Sequence, residues 1–155
     1  METALPESLL DLFQRPILGH LATVMPDGRP QATPVWVDYD GTYILINTTE
    51  QRQKAKNMRA RPRVALELVD PDDDYRWLAI RGRVVEATTE GAVEQLERLV
   101  ERYRGTSHFP HTEPGEVRVL FKIVPEHVTA WYGAHELPAR RQKAIERYQR
   151  RMTRQ

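Results

Sequence analysis

The residues best suited to chemistry in this sequence form a polar run at positions 47–57, directly after the apolar segment at 43–46. Hydroxyl and backbone N–H groups at a strand-to-helix turn, followed by Arg52, Lys54 and Lys56, provide the contacts that a phosphate group requires. The pattern therefore predicts a phosphate site. A solvated basic helix start is the alternative interpretation of the same residues.

Composition limits the classes of function. The chain has 155 residues, a size typical of one domain with a substantial core, and its net charge of +1 indicates no general attraction to nucleic acid or membrane. It contains no cysteine, which excludes disulfides and thiolate chemistry. No apolar run is long enough to span a bilayer, and the first residues lack a secretory pattern, so we expect a cytoplasmic protein.

The elements that must position the polar run are mostly strands. A Pro26-Asp27-Gly28-Arg29 turn predicts a hairpin between strands at 19–25 and 31–39, and Pro34 places the second strand at an edge. Gly82 predicts a bulge or a close backbone approach within a long strand. Further strands are predicted at 42–47, 64–69, 75–87 and 117–127, and helices at 50–61 and 89–104. Six strands joined mostly by hairpins predict a mainly β, α+β fold, an antiparallel barrel with peripheral helices.

The C-terminal segment differs from the rest of the chain in charge. Residues 138–155 carry seven basic side chains and one acid. We predict a main domain at 1–137 and a basic helix or tail at 138–155, with helix from 139 to 152. A solvated tail is the favoured interpretation, cover for an acidic cofactor tail is an alternative, and nucleic acid is not expected because few aromatic side chains are available for stacking.

Two segments resemble metal sites only in composition. His108 and His111 are separated by a proline and have no marked third ligand, whereas zinc sites use three or four. The acidic run at 70–74 lacks the glycine and terminal glutamate of a calcium loop, so it predicts a solvated turn. We expect no metal site, and the sequence shows no catalytic triad or carboxylate pair.

A series of short motifs follows one another along the chain: Pro-Asp-Gly-Arg-Pro at 26–30, Pro34-Val35-Trp36-Val37-Asp38, Asn47-Thr48-Thr49, Arg52-x-Lys54-x-x-Asn57, and the segments at 62–66, 75–82 and 114–119. This ordered set resembles the pyridoxamine 5′-phosphate oxidase-like split β-barrel flavoproteins, and within them the branch that uses the deazaflavin coenzyme F420. The resemblance extends from Leu10 to Trp131.

The resemblance implies an oxidoreductase that transfers hydride from reduced F420 to a small conjugated organic substrate, in a homodimer with the cofactor groove at the interface. The cofactor-binding residues that it implies are Pro34, Val35, Trp36, Asn47, Thr48, Thr49, Arg52, Lys54, Asn57, Tyr75 and Trp77. Lys56 is outside the strict pattern, and we assign it to the acidic tail of the cofactor. Arg52, Lys54 and Asn57 would hold the phosphate. Trp36 and its neighbours would lie along the ring, although ordinary core packing is an equally good interpretation of Trp36. No catalytic side chain is required, because the cofactor supplies the electrons.

Two other functions remain open at this point. An FMN-binding oxidase or flavin reductase would use the same phosphate motif, and a non-catalytic flavin or deazaflavin carrier would use the same fold. F420 is favoured over FMN because its phosphate and glutamate tail carry more negative charge, which suits the basic residues Lys54, Lys56, Arg59, Arg61 and Arg63. The segment at 131–138 lacks the Arg- and His-containing ending of true pyridoxamine phosphate oxidases, which argues against vitamin B6 oxidation.

Overall fold

The computed structural model describes residues 3–107 and 113–153, and this part of the chain forms one curled sheet surrounded by helices. Its seven strands are β1 (Gly19–Val24), β2 (Pro30–Val35), β3 (Asp38–Tyr39), β4 (Ile44–Thr49), β5 (Arg63–Asp70), β6 (Asp73–Thr88) and β7 (Arg118–Tyr132). Its helices are α1 (Asp11–Gln14), α2 (Gln53–Ala60), α3 (Ala92–Arg104) and α4 (Ala139–Met152), with 3₁₀ turns at Glu7–Leu9 and Ala134–Glu136.

The strands are ordered β2-β1-β5-β6-β7-β4-β3 across the sheet, and every neighbouring pair is antiparallel. β6 and β7 are 16 and 15 residues long, so they connect the two halves of the sheet. Register shifts between Arg81 and Gly82 and between Val84 and Glu86 interrupt their pairing. Such bulges bend and twist a long strand pair, which gives the split-barrel form that the sequence predicts.

Gly82 lies at the first of these bends. It is paired with Val64 of β5 on one side and with Pro125 of β7 on the other. A Cβ atom at this position would lie 2.6 Å from the carbonyl oxygen of Val124. The neighbouring backbone therefore occupies the space of any side chain, and both the bulge and the close approach predicted at Gly82 are confirmed.

The core is aliphatic and lies on one face of the curled sheet. In β5 the buried residues Val64, Leu66 and Leu68 alternate with more exposed ones, the pattern of a strand that buries one face. Leu12 and Phe13 of α1 join the same cluster. A small chain thus builds one continuous core that fixes the strand ends on which the candidate site is built.

The return strand expected as one segment at 31–39 is broken into β2 and β3, so the described residues contain seven strands rather than six. The break falls at Trp36 and Val37. The Val37 N–H donates to the Tyr103 hydroxyl at 3.2 Å, and the Trp36 ring stacks on Tyr103, so α3 interrupts the strand. The edge position predicted from Pro34 is confirmed, because β2 forms one edge of the sheet.

The polar helix begins later than expected. β4 continues through Thr49, paired with β7, and α2 begins at Gln53, so Thr48 and Thr49 are strand residues. Arg52 is the N-cap residue, and no described side chain caps the helix. The N–H of Ala55 bonds to the carbonyl oxygen of Arg52, and the N–H groups of Gln53 and Lys54 remain available to an anion.

The acidic segment at 70–74, expected as a solvated turn, is partly structural. Asp70 is only 5% exposed, and its carboxylate accepts hydrogen bonds from Arg15 at 3.0 Å and Arg76 at 2.8 Å. Burial alone raises the pKa of Asp70, but the hydrogen bonds from Arg15, the Asp72 N–H and Arg76 outweigh it and lower the pKa to about 2. The prediction is wrong for Asp70 because two arginines compensate its burial.

The basic helix predicted at 139–152 is confirmed as α4. Gln142 ties its first turn to the preceding segment, because Nε2 donates to three carbonyl oxygens, those of Ala134, His135 and Leu137. Within the part of the chain that the structure describes, α4 and the other helices are all too short or too polar to cross a membrane.

Candidate functional site

A groove of about 320 Å³ opens where β2, β4, α2, α3 and β7 meet. The described residues that line it are Leu18, Pro34, Val35, Trp36, Asn47, Arg52, Lys54, Leu96, Arg104 and Arg118. Six of the predicted cofactor-binding residues are among them: Pro34, Val35, Trp36, Asn47, Arg52 and Lys54. The lining includes four cations and no carboxylate, so the groove favours an anionic ligand.

Three of the cations lie at the junction of β4, α2 and β7. Arg52 precedes α2, Lys54 is in its first turn, and Arg118 begins β7 opposite Thr49. Burial, and then the charge of Arg52, lower the pKa of Lys54 below its usual value. Burial also lowers the pKa of Arg118, although Glu116 at 4.0 Å opposes the shift. An anion bound between these side chains would restore their preference for the charged form.

Lys54 is half-buried and has no carboxylate partner among the described residues. In contrast, Arg15, Arg76 and Arg102 each lie within 3.0 Å of a carboxylate oxygen. Removing an ammonium group from water without a counterion is unfavourable. A phosphate in the groove would provide the missing negative charge.

Asn47 lines the groove from β4. Its Nδ2 donates to the carbonyl oxygen of Ala92 at 2.5 Å and to Oε1 of Gln95 at 3.0 Å, which fixes the amide. Its Oδ1 is buried and has no hydrogen-bond partner within residues 3–107 and 113–153, and neither has Oγ1 of neighbouring Thr48. Buried polar atoms are normally hydrogen-bonded, so Oδ1 of Asn47, which lines the groove, is a candidate acceptor for a ligand donor, whereas Thr48 lies outside the groove lining.

α3 forms the wall of the groove at Trp36. The Trp36 and Tyr103 rings stack with centroids 5.0 Å apart and planes 14° apart. The Tyr103 hydroxyl donates to the carbonyl oxygen of Ile17 at 2.6 Å and accepts the N–H of Val37. Burial raises the pKa of Tyr103, which keeps this hydroxyl protonated. The guanidinium of Arg104 lies 5.8 Å from the centre of the Trp36 ring, so α3 fixes the tryptophan in place.

Asn57, predicted to contact the phosphate, lies outside the groove lining and is fully buried. Its Nδ2 donates to Thr23 Oγ1 at 3.0 Å and lies 3.3 Å from Gln31 Oε1, while its Oδ1 accepts from Gln53 at 2.8 Å. These contacts hold α2 against β1 and β2. The structure therefore gives Asn57 a position from which it orients the helix that carries Lys54.

Five other predicted residues also lie outside the groove lining: Thr48, Thr49, Lys56, Tyr75 and Trp77. Thr49 is buried at the end of β4, and Lys56 is exposed on α2. Tyr75 and Trp77 lie on β6, where Trp77 is opposite Trp131 of β7. A contact between these two aromatic residues and a ligand in the groove would require a second copy of the chain, as the resemblance implies.

Arg118 and Arg104 belong to the groove but were not predicted from the sequence. Arg118 stands between Val117 and Val119 in a strand whose other face is apolar, and this isolated charge was the available signal. Only the pairing of β7 with β4 brings it beside Arg52. Arg104 gives no such signal, because it depends on how α3 packs.

No group of three or more His, Asp or Glu side chains suited to a metal ion occurs in residues 3–107 and 113–153. His108 and His111, considered above as a histidine pair, lie outside the described residues. The absence of a metal site stays a prediction.

Comparison with known proteins identifies the family of the chain. The family profile described as pyridoxamine 5′-phosphate oxidase matches residues 5–132. Among solved structures, a protein described as F420 reductase shares 37% sequence identity with a TM-score of 0.70, over 81% of this chain and 98% of that one. The conserved hypothetical protein Rv2991 from Mycobacterium tuberculosis shares 30% identity with a TM-score of 0.63, over 88% of this chain and 91% of that one.

The fold also occurs in more distant proteins. The haem storage protein HutZ from Vibrio cholerae has a TM-score of 0.61 at 19% identity, over 87% of this chain and 100% of that one, which shows a shared fold only. The chain thus belongs to the pyridoxamine 5′-phosphate oxidase-like family, a split-barrel family that binds flavins such as FMN, and it is similar to the branch that includes an F420 reductase.

Proposed function

We propose that this member of the pyridoxamine 5′-phosphate oxidase-like family is an oxidoreductase that uses reduced coenzyme F420 to reduce a small conjugated organic substrate. The observation that carries the proposal is the half-buried Lys54, which lies in a cationic groove and has no carboxylate partner among the described residues. The 37% identity to a protein described as F420 reductase supports the choice of cofactor.

The residues of the groove fit a phosphorylated flavin-type cofactor. Arg52, Lys54 and Arg118 would hold the phosphate, together with the uncapped N-terminus of α2. Pro34 and Trp36 would provide an apolar wall for a flat ring. A reduced F420 held here would supply a hydride to an electron-poor carbon of the substrate; the substrate would take one proton from water, and the oxidised cofactor would release one proton to water, so that two electrons and two protons move in total.

The residues of the chain contribute binding and orientation rather than acid–base chemistry. The Oδ1 of Asn47 is a buried acceptor beside the apolar wall, suited to a ring N–H donor. Tyr103 fixes Trp36, and Leu96 excludes water from the α3 side. Holding two reactants in a fixed orientation is sufficient to explain most of the acceleration of a hydride transfer.

The basic residues near α2 support F420 less strongly than their sequence spacing suggests. Arg59 is ion-paired with Glu50, and Arg61 donates to the carbonyl oxygen of Val24 at 2.7 Å. These two arginines are therefore engaged within the chain. The choice of F420 over FMN rests mainly on the relative described as F420 reductase and on the groove cations.

A second copy of the chain would complete the groove, as the resemblance implies. Two neighbouring hollows of about 540 and 390 Å³ lie on the sheet face opposite the core. Ala22 and Ala65 line both hollows and are paired across β1 and β5. Small side chains on a sheet face allow another sheet to approach closely, so this face is our proposed dimer interface.

Sedimentation tests the dimer. We expect about 36 kDa at micromolar concentration, twice the chain mass of 18.1 kDa. Ala65→Arg should produce a monomer and weaken cofactor binding together, because the groove would be shared. A monomer that binds the cofactor as tightly as the wild type would refute the shared groove.

Turnover tests the enzymatic proposal. Protein loaded with reduced F420 is mixed with conjugated enones and quinones, and cofactor oxidation is followed by the return of its visible absorption. We expect at least one of these compounds to be reduced, with one molecule of it consumed for each F420 molecule that is oxidised. If bound reduced F420 is never oxidised faster than in free solution, the carrier function replaces the enzymatic one.

A further inference from the structure

The groove contains a fourth cation that the phosphate does not need. The phosphate of F420 joins the ring part to the glutamate tail, so it is a diester with one negative charge, which Arg52, Lys54 and Arg118 already exceed. Arg104 comes from a different element, the last helical position of α3 before Gly105. It makes no hydrogen bond or ion pair with any described residue, although its neighbour in α3, Arg102, is paired with Asp38 at 2.9 Å.

Arg104 is held at the end of the groove that carries the apolar wall. Its guanidinium lies 5.8 Å from the Trp36 ring, and Trp36 is stacked on Tyr103. The last turn of α3 is itself anchored, because Arg102 donates to the carbonyl oxygen of Phe13 at 2.8 Å. A guanidinium placed on an aromatic face keeps its N–H fork directed outward, so it can accept a planar anion.

We propose that Arg104 is a specificity-determining residue that selects substrates carrying a carboxylate on a flat conjugated system. This inference rests on the proposed function, in which the reacting ring lies along the wall at Trp36. A hydride acceptor must stack at that ring, within reach of Arg104. Because the glutamate tail of F420 is joined to the phosphate and not to the ring, a carboxylate bound at Arg104 beside the apolar wall would belong to the substrate.

The pair formed by the Arg104 guanidinium and a substrate carboxylate has a specific geometry. A carboxylate offers two oxygens that match two parallel N–H groups of a guanidinium, and the position of Arg104 against Trp36 places this guanidinium beside the apolar wall. Arg104 is exposed, so water and salt weaken the pair. We therefore expect a preference of about five-fold for an acid over its neutral ester, which corresponds to a solvent-exposed charge pair.

The test uses trans-3-benzoylacrylate, a conjugated ketone with a carboxylate, and its methyl ester as probes. Their affinities are measured by calorimetry on the wild type, with oxidised F420 bound and without it. The variants are Arg104→Gln and, as a control, Arg98→Gln, which removes an exposed arginine of α3 outside this groove. F420 affinity is measured in parallel for each protein.

We expect the wild type and Arg98→Gln to prefer the acid about five-fold, and Arg104→Gln to bind both probes equally with unchanged F420 affinity. Equal binding of acid and ester by the wild type, or a preference that survives in Arg104→Gln, would overturn the proposal. A loss of F420 affinity in Arg104→Gln would instead place the cofactor tail at Arg104. If F420 does not bind at all, the proposed function fails, and the cofactor-free titrations still decide the role of Arg104.

Discussion

Replacing Lys54 by methionine removes a half-buried charge while keeping a side chain of similar length. If Lys54 donates to the cofactor phosphate, the lost charge-assisted hydrogen bond is worth about 1.5–3 kcal/mol. Since about 1.4 kcal/mol is a factor of ten in affinity, F420 binding should weaken roughly ten- to a hundred-fold. The folding stability of the cofactor-free protein should not fall, because Lys54 has no carboxylate partner among the described residues.

The pH dependence of this effect follows from the depressed pKa of Lys54. Burial holds the pKa of Lys54 in the folded, free protein below the usual lysine value of 10.5, so the unfolded state binds this proton more tightly. The contribution of Lys54 to the stability of the free protein therefore rises with pH between the two pKa values. A bound phosphate favours the charged form, so F420 affinity should decrease as pH rises through the pKa of Lys54, and this decrease should be absent in Lys54→Met.

The assay is a fluorescence titration of F420 into both proteins across alkaline pH, with unfolding by urea as the stability measure. Lys56→Met is the matched control, because it removes the same charge from an exposed position of the same helix, outside the groove lining. Lys56→Met should weaken F420 binding much less than Lys54→Met does. Equal losses in the two variants would show a diffuse basic surface, and wild-type affinity in Lys54→Met would refute the phosphate assignment.

Three further substitutions test the structural basis of the site. Asp70→Asn should lower the free energy of unfolding at neutral pH by about 1–2 kcal/mol. In the wild type, the contribution of Asp70 to stability is lost as pH falls from 3.8 towards about 2. Acid unfolding of Asp70→Asn, monitored by circular dichroism, should therefore depend less on pH in this range than that of the wild type. Gly82→Ala should destabilise by about 1–3 kcal/mol or prevent folding, because its Cβ would lie 2.6 Å from a carbonyl oxygen; an unchanged thermal midpoint would contradict the packing. Tyr103→Phe keeps the stack on Trp36 but loses two hydrogen bonds, so urea unfolding should show a loss of about 1–2 kcal/mol.

Local patterns in the sequence predicted much of the fold. The hairpin turn at 26–29, the edge position of Pro34 and the bend at Gly82 depend on residue types that restrict their own backbone. The division between β2 and β3 could not be predicted, because it depends on Tyr103 reaching Val37 across 66 positions of sequence. Tertiary contacts of this kind override local strand preference.

In the candidate site, too, local sequence predicted some residues, and tertiary contacts determined the others. Arg52 and Lys54 were predicted because both follow one strand within a few residues, and they line one groove with Trp36. Asn57 shares their motif, but its place on the inner face of α2 buries it completely. Arg118 gives a local signal as an isolated charge in an apolar strand, but its place beside Arg52 depends on the pairing of β7 with β4, which the local sequence does not show.

A direct test of the central claim is a parallel titration of F420 and FMN into the same protein, produced in a host that makes no F420, at low and high ionic strength. We predict that F420 binds more tightly at low salt, and that its affinity falls more with added salt than that of FMN, because the phosphate and glutamate tail of F420 together carry more negative charge than FMN and gain more from the basic side chains in and around the groove. Tighter binding of FMN at every salt concentration would contradict the account and assign the groove to FMN.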